Sequence, residues 1–231
     1  MDINIEYRPS YAMARVALAN GESIVAESGA MMSMSSNIDV QTSSRAQSAG
    51  GGAGGLLKAL GRSVFAGESF FMNTYSSQGG EGEIILAPTL PGDVEVISLQ
   101  DQGLMIQRTS YMANSPGIGI DTKWGGMKTL FGGEGLFMIK AGGTGDVVVN
   151  SFGAIHQLNI TGPYVVDTGH IVAFDENLMF EVKKVGSWKS TIFSGEGLVT
   201  EFNGRGRLWI QSRNPSAFGH LVGGKLPPRE Q

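Results

Sequence analysis

Phe65-Ala66-Gly67-Glu68-Ser69-Phe70-Phe71 returns later in the chain as Phe131-Gly132-Gly133-Glu134-Gly135-Leu136-Phe137 and again as Phe193-Ser194-Gly195-Glu196-Gly197-Leu198-Val199. The copies lie 66 and 62 residues apart (131 − 65 and 193 − 131), so the pattern spans most of the 231 residues. A motif repeated at nearly constant spacing is typical of one structural unit used several times. The spacing predicts a single domain, residues 1–231, with three units at about 1–88, 89–157 and 158–220 and a loose tail at 221–231.

Apolar runs and glycine-rich turns follow each copy of the motif. In the second copy, Leu136-Phe137-Met138-Ile139 precedes Gly142-Gly143-Thr144-Gly145, and Val147-Val148-Val149 comes next. Two such runs around glycines indicate a β-hairpin, because glycine adopts the positive φ angles of tight turns without a clash. An acid two residues before a glycine precedes each copy, at Glu27, Asp101 and Asp167. We therefore predict an all-β fold of three pseudo-symmetric repeats that close into a compact barrel or prism.

Composition narrows the class of protein. The 35 glycines are about twice the usual share of roughly 7%, which suits many tight turns. With no cysteine, disulfides and thiolate metal sites are excluded. The first residues do not form a signal peptide, and no run approaches the roughly 18 apolar residues of a spanning helix. We expect a cytoplasmic protein, and the net charge of −4 disfavours a nucleic-acid partner.

One segment of the first unit has no counterpart in the other two. Gly50-Gly51-Gly52-Ala53-Gly54-Gly55 leads into Leu56-Leu57-Lys58-Ala59-Leu60, where the leucines are spaced at about one helical turn. This pattern predicts one short inserted helix. Its interaction candidates are Leu56, Leu57 and Leu60, which could pack on the domain itself, on a neighbouring subunit, or on a partner protein or peripheral membrane surface.

A methionine cluster lies earlier in the first unit, at Met31, Met32 and Met34. Methionine is unbranched and adaptable, and it fills irregular spaces in cores and at binding surfaces. We therefore expect these side chains in the core or in an interface.

The repeated carboxylates Glu68, Glu134 and Glu196 are the strongest candidates for chemistry. Facing a pseudo-three-fold axis, they would form a ring able to hold a hard cation; otherwise each is an exposed carboxylate in a turn before a strand. The three histidines lack the spacing of a zinc site, and no nucleophile elbow is present. Gly50-x-Gly52-x-x-Gly55 fits the dinucleotide fingerprint, but the polar residues 43–48 before it do not form a buried strand. We expect no cofactor and no catalytic site.

Three features together resemble the altered-inheritance-of-mitochondria family typified by its member twenty-four. They are the Phe-x-Gly-Glu repeat, the glycine-rich run into Leu56-Leu57-Lys58-Ala59-Leu60, and Ser212-Arg213-Asn214-Pro215. The resemblance covers about residues 3–220 and implies a three-repeat fold of the double-stranded β-helix type, similar to the tryptophan RNA-binding attenuation protein. It links eukaryotic relatives to the organisation of the mitochondrial inner membrane. It supplies no catalytic residues, and a similar fold does not transfer RNA binding.

The sequence favours an uncharacterised, non-enzymatic scaffolding protein that forms a homo-oligomer and presents a surface to a protein partner. One alternative is a small-ligand or metal-binding module at the pseudo-three-fold axis. Another is nucleic-acid binding by analogy with the fold, which the net charge disfavours.

Overall fold

The computed structural model describes residues 1–44, 71–121, 137–184 and 198–227. Within these ranges the chain is predominantly β, as the sequence predicts. The strands are β1 (Asp2–Glu6), β2 (Met13–Leu18), β3 (Ser23–Glu27), β4 (Met31–Met34), β5 (Ile38–Ser44), β6 (Phe71–Ser77), β7 (Gly82–Leu86), β8 (Val94–Gln107), β9 (Tyr111–Asn114), β10 (Ile118–Asp121), β11 (Met138–Asn150), β12 (Ile155–Ile160), β13 (Tyr164–Asp167), β14 (Ile171–Asp175), β15 (Met179–Lys184), β16 (Leu198–Asn203) and β17 (Gly206–Gln211).

Several predicted features lie outside the described residues. They are the repeated carboxylates Glu68, Glu134 and Glu196 and the inserted segment with Leu56, Leu57 and Leu60. One helix was not predicted: α1 (Pro215–Gly223) extends into the segment expected to be loose. Asn214 caps it by accepting a hydrogen bond from the Ala217 N–H at 3.1 Å, and Pro215 occupies the first turn, where no donor is needed.

The described strands form three sheets. The first has the order β1-β2-β7-β4, and the third has the order β13-β16-β15. The ten-stranded second sheet has the order β12-β17-β14-β8-β11-β9-β3-β6-β5, with β10 on β11. The expected closed barrel is therefore wrong for the described strands, because none of these orders returns to its first strand. Instead, the long strands β8 and β11 pair with each other inside the second sheet, with β14 on the other side of β8 and β9 on the other side of β11.

The same pairing scheme occurs in three successive groups of strands. The first strand pairs with the last, the second with the fifth, the third with the last, and the fourth with the fifth. The first group is β2 to β7. In the second group, β8 supplies the first two strands and β11 the last two, around β9 and β10. The third group is β12 to β17. The predicted boundary after residue 157 falls inside β12.

Each third strand also carries a register shift at the same place. Between its first and third residues, one extra residue is inserted opposite the last strand of the group, which is the geometry of a β-bulge. The inserted residues are Met32, Met112 and Val172.

The acid-and-glycine motif does not mark equivalent positions in the three groups. Asp101 lies inside β8, whereas Glu27 and Asp167 end the second strand of their groups. The position equivalent to Asp167 is Gln107. Asp167 accepts a hydrogen bond from the Gly169 N–H at 2.8 Å, and Gln107 accepts one from the Thr109 N–H at 2.7 Å, each before a 3-10 turn.

The apolar core consists of three clusters that share strands between neighbouring groups. The first cluster contains Met112 and Ala113 of β9, which belongs to the second group. The second contains Val172 and Ala173 of β14, which belongs to the third group. The third contains Phe174, whose ring lies 5.0 Å from those of Phe180 and Phe202. Each group after the first thus contributes two residues of its third strand to the core of the group before it.

The segments that connect the groups run side by side. Gly92 and Gly153 form an isolated parallel bridge, and the Ser151 N–H donates to the Asp93 carbonyl oxygen at 3.0 Å. The buried Asp93 carboxylate accepts from Arg8 Nε at 2.8 Å, and this contact raises the pKa of the guanidinium. The backbones are so close that a Cβ on Gly92 would lie 1.8 Å from the Ser151 carbonyl oxygen.

We expect Gly92→Ala to destabilise the fold by about 1–3 kcal/mol, because the clash is with backbone and both connecting segments would have to move. Gly142→Ala is the matched control, since a Cβ there meets nothing within 4 Å. Urea unfolding of both variants measures the difference. Equal stability of the two variants would contradict the close approach at Gly92.

Candidate functional site

The third strand of a group is paired on both edges in two of the three groups. β9 lies between β11 and β3, and β14 lies between β17 and β8. In each case the second neighbour is the second strand of the preceding group. As a result, every residue of β9 is buried, and so are the first four of β14.

β4 is the corresponding strand of the first group, and its surroundings differ. It ends its sheet and pairs only with β7 among the described strands. All four of its residues are exposed, and Met32 is 56% exposed where Met112 and Val172 are 1% and 0% exposed. The methionines expected in the core or an interface are therefore not in the core of this chain. They form an apolar strand edge that faces solvent.

β13 is a second open edge. It is the second strand of the third group and pairs only with β16 among the described strands. Tyr164 and Val165 are 43% and 58% exposed, whereas the residues at the Tyr164 position in the other groups, Ile24 and Leu104, are fully buried. Sequence analysis missed this edge, although Tyr164-Val165-Val166 has the same apolar character as Ile24-Val25-Ala26.

These two strands have the chemistry of a protein-binding surface. An edge strand presents backbone N–H and C=O groups that can pair with another strand. The exposed side chains beside them are apolar, so pairing would also remove hydrocarbon surface from water. Soluble proteins usually protect such edges with charges or proline, but β4 consists of Met31-Met32-Ser33-Met34.

The junction between β3 and β9 pairs the strands that correspond to β13 and β4, so it shows how such edges are covered within the chain. Tyr111 is buried there, and its hydroxyl donates to Asn114 Oδ1 at 2.5 Å. Burial raises the pKa of Glu27 to about 6 against the opposing effect of Arg108. Burial, together with the charge of Glu27, also raises the pKa of the Tyr111 hydroxyl.

Metal sites, histidine sites and membrane-spanning helices have less support in the described residues. In residues 1–44, 71–121, 137–184 and 198–227, no three acidic or histidine side chains are grouped to hold a metal ion. His156, His170 and His220 lie on different elements, and His170 Nδ1 lies 2.7 Å from the Gln211 carbonyl oxygen. None of the described helices has the length and hydropathy needed to cross a membrane.

An apolar groove of about 540 Å³ lies beside α1. Tyr11, Arg213 and Leu221 line it together with Phe152 and Phe218, whose ring centroids are 5.1 Å apart. These walls would suit an apolar ligand, but they hold no group arranged for acid–base or nucleophilic chemistry.

Comparison with known proteins agrees with the predicted resemblance. The family model described as "Mitochondrial biogenesis AIM24" matches residues 3–213. The chain belongs to the AIM24 family. It is similar to an uncharacterised protein of Streptococcus pyogenes serotype M6, with 29% identity over 231 residues that cover 98% of this chain and 92% of the relative.

The structure is also similar to an X-ray crystal structure of a Streptococcus pyogenes protein determined by a structural genomics consortium. The TM-score is 0.77 at 26% sequence identity, and the match covers 97% of this AIM24-family chain and 99% of the other. The fold is therefore shared over nearly the whole of both chains.

We expect Glu27→Gln to stabilise the protein at pH 7.5 and to have little effect near pH 4. Because burial raises the folded-state pKa of Glu27 from 4.5 to about 6, its protonated form is favoured on folding, and this contribution is lost as pH rises through that range. After allowance for solvent screening, the gain at pH 7.5 should be about 1 kcal/mol or less. Urea unfolding at both pH values measures this gain. A loss of stability at pH 7.5 would contradict a raised pKa of Glu27.

Proposed function

We propose that this AIM24-family protein is a non-enzymatic structural protein that associates with copies of itself and presents the assembled surface to a protein partner. The observation that carries the proposal is β4. Its two counterparts, β9 and β14, are buried between two strands, whereas β4 has a single neighbour among the described strands and carries three exposed methionines.

The recurring pairing scheme supports an origin in three repeats. It also supports the similarity to the tryptophan RNA-binding attenuation protein that the family resemblance implies. A chain of equivalent units joined in series leaves one unmatched third strand at its beginning and one unmatched second strand at its end. Self-association would cover both, which accounts for apolar side chains on edges that a monomer would normally charge. A cytoplasmic location is part of the proposal and is testable by cell fractionation.

The alternative of a metal or small-ligand site at a pseudo-three-fold axis depends on Glu68, Glu134 and Glu196, outside the described residues. It stays a prediction, as does nucleic-acid binding by analogy with the fold. Neither gains support from the two edges described above, β4 and β13, whose exposed side chains are mainly apolar.

We expect Met32→Lys with Met34→Lys to disrupt the assembly, because burying two ammonium groups in an apolar interface is costly. Light scattering coupled to size-exclusion chromatography should give the wild type a mass well above the 24.4 kDa of one chain. The double variant should shift toward that mass, with an apparent dissociation constant raised at least tenfold.

Val40→Lys with Met179→Lys is the matched control. It adds the same charge at two exposed apolar residues on β5 and β15, so the oligomer should persist. Circular dichroism should show the same β content in all three proteins. A wild type that stays monomeric across the micromolar range would overturn the proposal.

A further inference from the structure

We infer that the partner of β4 is β13 of a second copy of this chain, joined head to tail in antiparallel pairing, with Met34 opposite Val165 and Ser33 opposite Val166. The inference rests on the proposed self-association and names the surface that each copy supplies. It follows from the way in which the chain joins its own groups.

The two internal junctions provide the template. Between the first and second groups, Val25 pairs with Asn114 and Ala26 with Ala113. Between the second and third groups, the pairs are Met105 with Phe174 and Ile106 with Ala173. Both junctions join the second strand of one group to the third strand of the next, and both are antiparallel in the same register.

Equivalent positions on β4 follow from pairing within each group. Met34, Asn114 and Phe174 face corresponding residues of the last strand, which are Ile84, Val147 and Leu208. Ser33, Ala113 and Ala173 likewise face Ile85, Val148 and Trp209. Met34 and Ser33 therefore occupy the positions that form the junction in the later groups.

Equivalent positions on β13 follow from the fifth strands. Val25, Met105 and Val165 face Thr74, Lys140 and Glu201, and those three residues in turn face Gln41, Asp121 and Glu181 of the fourth strands. Val165 and Val166 thus occupy the positions through which the earlier groups pair with the next third strand.

The core of the third group also lacks a contribution that the other two receive. Met112 and Ala113 enter the first cluster from the following group, and Val172 and Ala173 enter the second in the same way. The third cluster receives no third strand from a later group within the described residues, and Phe180 and Val182 at its margin are only partly buried. Met32 of a second copy would occupy the corresponding place, and a flexible methionine side chain suits such a site.

Charge and symmetry agree with this partner. Met34, Ser33, Val165 and Val166 are uncharged, so the paired residues bring no ionised side chain into the contact, and Asp167 lies just beyond them at the end of β13. The two edges are different surfaces, so contact between them is heterologous and leaves one edge of each kind free until a ring closes. Pairing between β4 and a second β4 would instead leave β13 exposed on both copies.

Cysteine cross-linking tests the register, since the chain has no cysteine of its own. Met34→Cys and Val165→Cys proteins would be prepared separately, checked for the wild-type mass by light scattering, dissociated by dilution, mixed and oxidised with copper–phenanthroline. We expect a disulfide-linked dimer in the mixture, at least tenfold more abundant than in either protein alone. Met179→Cys mixed with Val165→Cys is the control, because Met179 is exposed on β15, away from the inferred contact.

Each result separates this inference from the proposed function. Cross-linking of Met34→Cys alone would show that β4 pairs with β4, which overturns the head-to-tail partner but keeps self-association. An oligomeric protein with no cross-link in the mixture would overturn the register and the partner together. A monomeric wild type would overturn the proposed function itself.

Discussion

Pairing between the second strand of one group and the third strand of the next is the interaction on which this fold depends. It places β9 between β3 and β11, and β14 between β8 and β17. Each of these third strands then adds residues to the apolar core of the preceding group. The groups are therefore not independent, because removing one third strand would expose the apolar cluster of its neighbour to water.

The shared β-bulge explains how one short strand can serve two cores. In β9, Tyr111 belongs to the second cluster, whereas Met112 and Ala113 belong to the first. In β14, Ile171 belongs to the third cluster, whereas Val172 and Ala173 belong to the second. A regular strand alternates its side chains strictly between two faces, and the extra residue of a bulge changes that alternation and bends the strand. The bulge thus lets one strand contribute side chains to the cores of two neighbouring groups.

A serial arrangement of this kind has two unlike ends. One is the apolar edge of β4 and the other is the edge of β13, and each has the form of a surface that is covered elsewhere in the same chain. The proposed self-association rests on these ends, because pairing would satisfy backbone groups and bury apolar side chains at once. The uncharged runs Met31-Met32-Ser33-Met34 and Tyr164-Val165-Val166 distinguish these edges from edge strands that proteins protect with charges.

The sequence by itself determined the β class and the family, since strand alternation is a local property that neighbouring residues specify. The predicted hairpins are wrong: Gly142-Gly143-Thr144-Gly145 lies inside the continuous strand β11, and β16 and β17, like β6 and β7, are consecutive strands that belong to different sheets. The sequence also marked Met31, Met32 and Met34 as core or interface residues, but it could not choose between them. It misplaced the second acid-and-glycine motif because Asp101 lies in β8, where no loop separates the first two strands of the group. Only the tertiary structure decided that the groups join in series and leave β4 and β13 open. That outcome depends on which distant edges meet, and residues such as Ala26 and Ala113 carry no local signal of their partner.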